Sequence, residues 1–266
     1  MNILCVGNSF AVDASTYVHQ IAEHIGEKID IHVLYIPGCP INLHWKNYLS
    51  REKAYEFYVN GSLSPLMWCD IFEGLRYTKY DYITFQQRSG DSGDASTFFP
   101  ELTLLSEHIK KDYQGQHVLH KTWSYAKSFS HDKYGNNPLD QAAMDNDIKE
   151  AYLEVSKKAN IKYIIPSGEA IKLARQVFGD ELNRDGYHLN ERGRLLVGIL
   201  WVMYFLGKEN INLEGFVPRG FTYDDKTPGV DEKEIPTLVE IAQNALKNNK
   251  GHNLYAQNWK ERISRN

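Results

Sequence analysis

Short apolar runs alternate with amphipathic segments along most of this chain, and that alternation is its strongest structural signal. Residues 3–6, 31–36, 82–85, 117–122 and 163–165 are dense in aliphatic, β-branched and aromatic side chains, as strands covered on both faces are. Between them, segments 15–25, 95–111, 140–159, 169–177 and 190–206 return apolar residues every three or four positions, which predicts helices. In the last of these, Leu195, Leu196, Ile199, Leu200, Met203 and Leu206 form the expected buried face. Strands separated by helices predict an α/β domain in which crossover helices join parallel strands.

Two stretches depart from this rhythm. Tyr55, Phe57 and Val59 alternate with polar residues and run into Asn60-Gly61, a dipeptide suited to a type I′ turn, so a small hairpin insertion is expected there. From Lys208 onward the chain turns polar, punctuated by Pro218, Gly220, Pro228, Gly229 and Pro236, and only 238–246 reads as helix. Residues 1–207 are therefore read as the domain and 208–266 as an extension wrapping it.

The chain has 266 residues, enough to bury a core without disulfide or metal staples. Its 30 basic residues are scattered and the formal charge is −4, which argues against a nucleic-acid partner. Cys5, Cys39 and Cys69 are odd in number and imply no disulfide framework. No apolar run approaches the ~18 residues of a membrane span, and the opening run lacks a basic leader, so no membrane partner and a cytoplasmic location are expected. Neither a Gly-x-Gly-x-x-Gly string nor a P-loop occurs. His117 and His120 lie three apart on a predicted strand, which sends their rings to opposite faces, so neither a metal nor another cofactor is expected.

Ligands of open parallel sheets bind beyond the carboxyl ends of the strands. The polar blocks at those ends are Gly7-Asn8-Ser9-Phe10, Pro37-Gly38-Cys39-Pro40 and Gln86-Gln87-Arg88-Ser89, and Asp185-Gly186-Tyr187-His188 precedes the last long helix. A serine between strand and helix has helix N-terminal amides beside it and becomes a nucleophile if a base takes its proton. The same loop could instead satisfy its own backbone, or cradle a phosphate or flavin. Asp185 and His188, three apart, could pair so that the carboxylate orients an imidazole, whose ordinary pKa of ~6.5 suits a general base. The plainer alternative is an acidic residue at a helix start with a surface histidine beside it.

Taken in order, these blocks resemble the SGNH/GDSL hydrolase superfamily. The likeness runs from residue 2 to about residue 206 and includes Leu189-Asn190-Glu191-Arg192-Gly193-Arg194 after the Asp-x-x-His block. Phe85-Gln86-Gln87-Arg88-Ser89, Thr122-Trp123-Ser124-Tyr125 and Ile165-Pro166-Ser167-Gly168-Glu169-Ala170 are similar to a bacterial branch carried as a domain of unknown function. The resemblance implies a flavodoxin-like three-layer α/β/α sandwich with a five-stranded parallel sheet. It also implies a catalytic Ser9, His188 and Asp185, and an oxyanion hole that includes the amides of Ser9 and Gly38. The implied activity is a serine esterase acting on a small-molecule or carbohydrate ester, most plausibly a sugar O-acetyl group, through an acyl-serine.

Two positions depart from the superfamily pattern. Asn8 stands where the superfamily has aspartate, and Gln86-Gln87 stand where it has an asparagine that donates to the oxyanion. Gln87 is the expected replacement donor, with Gln86 the competitor, because strand alternation lets only one of them enter the crevice. Weaker substrate-contact expectations fall on His44 at the crevice rim, on Arg88 and on Trp123, which with Tyr125 could offer an aromatic platform. A carbohydrate-binding module that keeps the fold without the reaction is the alternative suggested by the missing asparagine.

Overall fold

The computed structural model describes residues 1–66, 68–136, 138–219, 230–249 and 251–254. In chain order the elements are β1 (Asn2–Gly7), α1 (Ser9–Ser15), α2 (Val18–His24), β2 (Asp30–Tyr35), α3 (Ile41–Ser50), β3 (Glu56–Val59), β4 (Ser62–Leu63) and α4 (Ile71–Arg76). Then follow β5 (Tyr82–Phe85), α5 (Glu101–Asp112), β6 (Gln116–His120), β7 (Ser130–His131), β8 (Gly135–Asn136), α6 (Gln141–Lys158), β9 (Tyr163–Ile165), α7 (Ser167–Phe178), α8 (Glu191–Leu206) and α9 (Ile235–Asn248).

The main sheet runs β4-β3-β2-β1-β5-β6-β9. Its β2, β1, β5, β6 and β9 are mutually parallel, which is the five-stranded parallel sheet of a flavodoxin-like sandwich. Helices cover both faces, with α1, α2, α7, α8 and α9 packed together on one and α3 and α5 paired on the other. Because both faces are covered, Ile3, Leu4, Cys5 and Val6 of β1 are all buried. The chain order reverses between β2-β1 and β5, so the carboxyl ends of β1 and β5 border the switch point where such sheets bind ligands.

The hairpin insertion forms as expected and joins the sheet edge, β3 pairing antiparallel with β2. Asn60 and Gly61 both adopt positive φ, 52° and 84°, as a type I′ turn requires. Two expected helices are divided. Segment 15–25 becomes α1 and α2, because the Asn8 side chain accepts from the Phe10 amide and starts the helix six residues early. Ser15 and Thr16 then turn their hydroxyls back on the Val12 carbonyl, competing with the next turn. Segment 95–111 is a 3₁₀ turn over Ala95–Phe98 and then α5, since Pro100 cannot continue a helix and keeps Phe99 extended.

The expected inner face of α8 is buried, but so is every residue from Gly193 to Leu206. The reason is α9, which packs on α7 and α8 and sends Ile235, Leu238, Ile241, Ala242, Ala245 and Leu246 into the same core. Of the residues punctuating the extension, Gly220, Pro228 and Gly229 lie outside the described residues. Cys5, Cys39 and Cys69 are buried and unpaired. Among the described residues no helix is long and apolar enough to cross a membrane.

Candidate active site

Ser9 is the first residue of α1, half-buried at the carboxyl end of β1. A Cβ on Gly7 would come within 2.7 Å of the Ala11 Cβ, so glycine is what lets strand and helix meet this closely. From the other end of the chain, 179 residues away in sequence, His188 places its Nε2 2.7 Å from Ser9 Oγ. The opposite ring nitrogen, Nδ1, lies 2.6 Å from Asp185 Oδ2. Asp185 Oδ1 accepts the backbone amides of His188 and Tyr187 at 2.8 and 3.3 Å, curling the loop around its own carboxylate.

Partial burial pushes the Asp185 carboxyl up, but the His188 side chain and the two amides outweigh it and hold the group below the ordinary carboxylate range. An ionised carboxylate only accepts, so Nδ1 carries the imidazole proton and Nε2 faces the serine hydroxyl as acceptor. The loop is itself a narrow hairpin. Asn183 bridges Leu189, the Arg184 amide donates to the His188 carbonyl, and the Asn190 amide to the Leu182 carbonyl. Asn190 then caps α8 through the Gly193 amide.

Asn8 explains why this position is not aspartate. Its Nδ2 donates to the carbonyls of Cys39 (3.1 Å) and Gln87 (3.4 Å), while its Oδ1 accepts from the Phe10 amide and from Gln86 Nε2. An aspartate could not donate to those two carbonyls, so asparagine ties together the loops that follow β1, β2 and β5. Gln86 continues this chain inward, with Oε1 2.6 Å from His120 Nδ1.

Gln87 is not placed as expected. Its Oε1 accepts the amides of Ile41 and Arg88, and its Nε2 donates to the carbonyl and hydroxyl of Thr97. Both amide hydrogens are thus committed away from Ser9, and the side chain caps α3 from a neighbouring loop. Gln86, equally buried, gives its amide to Asn8. The Gly38 amide lies on an exposed turn at φ 57°. Among the described residues neither it nor the Ser9 amide donates a hydrogen bond within the protein.

Two of the three substrate-contact expectations, His44 and Trp123, are corrected as well. His44 is fully buried on α3, stacked on Tyr55 with Nδ1 3.0 Å from its hydroxyl, and burial pushes its pKa down to about 3. It is a packed core residue because α3, which the hydrophobic pattern did not reveal, carries it inward. Trp123 is also fully buried, parallel to Phe10 at 4.2 Å, with Nε1 donating to the Tyr187 carbonyl. It braces the loop that presents His188 and has no face open to a sugar. Arg88 folds onto its own turn in a two-pronged pair with Asp91 at 2.8 and 3.0 Å.

His117 meets Ser106 of α5, whereas His120 packs against Trp201 of α8, on opposite faces of the sheet. Among the described residues no three of His, Cys, Asp and Glu converge as a metal set. The sequence reading missed three charged residues beneath the site, Asp13, Arg184 and Arg194, which pair with one another in the interior. The one available signal was Asp13 four residues after Ser9, hidden because the helix was expected to begin only at residue 15.

The architecture has counterparts among known proteins. A protein described as a DUF4886 family protein from Bacteroides uniformis superposes with a TM-score of 0.76 at 29% identity, covering 93% of each chain. A protein described as a candidate SGNH hydrolase from Slackia heliotrinireducens gives 0.51 at 19% identity, over 76% of this chain and 97% of its own. An acetyl-xylooligosaccharide esterase from Geobacillus gives 0.50 at 12% identity, over 78% and 93%. The last two likenesses are of fold. No curated protein matches the chain. The family model described as "Domain of unknown function (DUF4886)" matches residues 2–224, most of the chain, and the protein therefore belongs to the DUF4886 family.

Proposed function

We propose that this protein is a serine esterase that cleaves an O-acetyl ester on a carbohydrate through an acyl-Ser9 intermediate. The observation that carries the reading is the continuous line from Ser9 Oγ through the His188 ring to Asp185 Oδ2, at 2.7 and 2.6 Å. His188 Nε2 takes the serine proton as Oγ attacks the ester carbonyl, and Asp185 holds the ring and stabilises the imidazolium. The tetrahedral oxyanion is received by the Ser9 and Gly38 amides. His188 returns its proton to the departing alcohol, then deprotonates a water that releases the acyl group as carboxylate and restores Ser9.

The sugar acetyl ester is suggested by the shared fold of the acetyl-xylooligosaccharide esterase. With both glutamine side chains committed elsewhere, the oxyanion relies on backbone donors. One missing donor typically costs ~3 kcal/mol of transition-state stabilisation, so turnover is expected to be modest. The test is Ser9→Ala against wild type, with a short-chain aryl acetate and a fluorophosphonate label. Wild type should label and turn over, and the variant should lose both, with kcat falling roughly 10⁴- to 10⁶-fold. Saturable sugar binding without acyl-enzyme in the wild type would favour a binding module on the same fold.

A further inference from the structure

Beneath the half-exposed Ser9–His188 contact lies a carboxylate that the reaction itself does not use. Asp13 is 1% exposed and sits on α1 four residues after Ser9, one helical turn away on the same face. Its Oδ2 accepts the Leu189 amide at 2.8 Å, directly after His188. Its Oδ1 accepts from Arg184 Nη1 at 3.0 Å and from Arg194 Nε at 2.9 Å. Arg184 also donates to the Leu189 carbonyl. Arg194 pairs with Glu191 at 2.9 Å, and Glu191 accepts the Tyr17 hydroxyl.

Two acids and two arginines thus cancel in the interior. Such a cluster is a poor source of net stability, because desolvation consumes most of the Coulombic gain, yet it permits little variation in geometry. Its placement is specific. Besides the edge contact of the Phe10 ring with the His188 ring, a hydrogen-bonded connection between Ser9 and His188 runs along one turn of α1, across Asp13, and into the Leu189 amide. The geometry points to Asp13 as a positioning residue that pins hairpin 182–190 to α1 and so sets the distance from Ser9 Oγ to His188 Nε2. This inference rests on the esterase reading for its kinetic consequence. Its structural consequence, an immobilised His188 ring, stands without it.

The test compares Asp13→Asn with wild type well below the melting temperature, using circular dichroism to establish folding. Asparagine keeps the shape and one acceptor but withdraws the charge that orders both arginines. The expected result is a kcat about 100-fold lower with KM nearly unchanged, since a 1 Å misplacement of reacting groups costs about that factor. Fluorophosphonate labelling should slow in parallel, and the low-field Nδ1 proton resonance of His188 should broaden. A role confined to stability would lower the melting temperature and leave kcat and the resonance as in wild type, which would overturn the proposal. If Asp13→Asn does not fold, Arg184→Gln carries the test, with an expected kcat loss of about 10-fold, and wild-type kcat there would overturn it. A wild-type protein that neither labels nor turns over would refute the esterase reading. The resonance, which needs no turnover, would then decide the role of Asp13 alone.

Discussion

Two sets of polar side chains occupy the carboxyl end of the sheet, and they differ in what they face. Ser9, Asp185 and His188 are exposed or half-buried, and their hydrogen bonds form a line that ends at a hydroxyl. Just below, Asn8, Gln86 and Gln87 are buried, and their amides are spent on one another and on loop backbone. From composition the two sets look alike, as polar residues where strands end. Water and spare bonding capacity separate them: a group poised for chemistry keeps a valence toward an incoming substrate, whereas a buried amide must spend all of its own to offset desolvation.

Lowering the pH is the strongest way to attack the buried polar side chains, which besides the lower set include His44, His117 and His120. Burial pushes His44, His117 and His120 down to about 3 from an ordinary 6.5. Above pH 6.5 both folded and unfolded chains hold these rings neutral. Below it the unfolded chain takes up protons that the folded one refuses, so stability falls as pH drops. Each ring then costs roughly 2 kcal/mol at about pH 5, on the order of 6 kcal/mol for the three. Urea melts at about pH 7.5 and pH 5 should show this loss, and an unchanged midpoint would mean that the interior accommodates the charge.

A smaller effect, confined to the upper set, is expected of Asp185→Asn. The amide can present its N–H to Nδ1 and stabilise the wrong tautomer, so kcat should fall roughly 10³- to 10⁴-fold while the half-exposed site leaves the melting temperature little changed. Retention of full kcat would mean that the carboxylate is not needed to orient the ring. The smallest effect is expected of Gln87→Ala, with the reverse signature. Leaving the Ile41 amide unpaired should cost about 1–3 kcal/mol of stability. If instead kcat falls ~100- to 1000-fold in the folded variant, Gln87 donates to the oxyanion after all and the division between the two sets fails at that residue.

Much of the fold was legible because it is written in local pattern. Strands buried on both faces must be continuously apolar, so β1, β5 and β9 could be read from the chain, and Asn60-Gly61 marks a turn that few other dipeptides make. The short helices were not legible. The buried positions of α3 include His44 and Asn47, polar residues that carry no amphipathic signal, and α1 begins six residues early because of the Asn8 cap, whose other partners lie on the loops after β2 and β5. The full burial of α8, which ends at Leu206, depends on α9, which begins only at Ile235 and packs on it.

At the site, sequence alone determined which residue types stand at the strand ends, and so which chemistry was available: a serine before a helix, and an acid and an imidazole three residues apart. Only the tertiary structure decided that these two blocks meet, that Gln87 turns toward Thr97, that Trp123 and His44 are packed away, and that Asp13 anchors the histidine hairpin. The physical reason is that hydrogen-bond partners and burial are set by residues distant in the chain. A polar side chain at a strand end carries no local mark of whether it will face water or another loop.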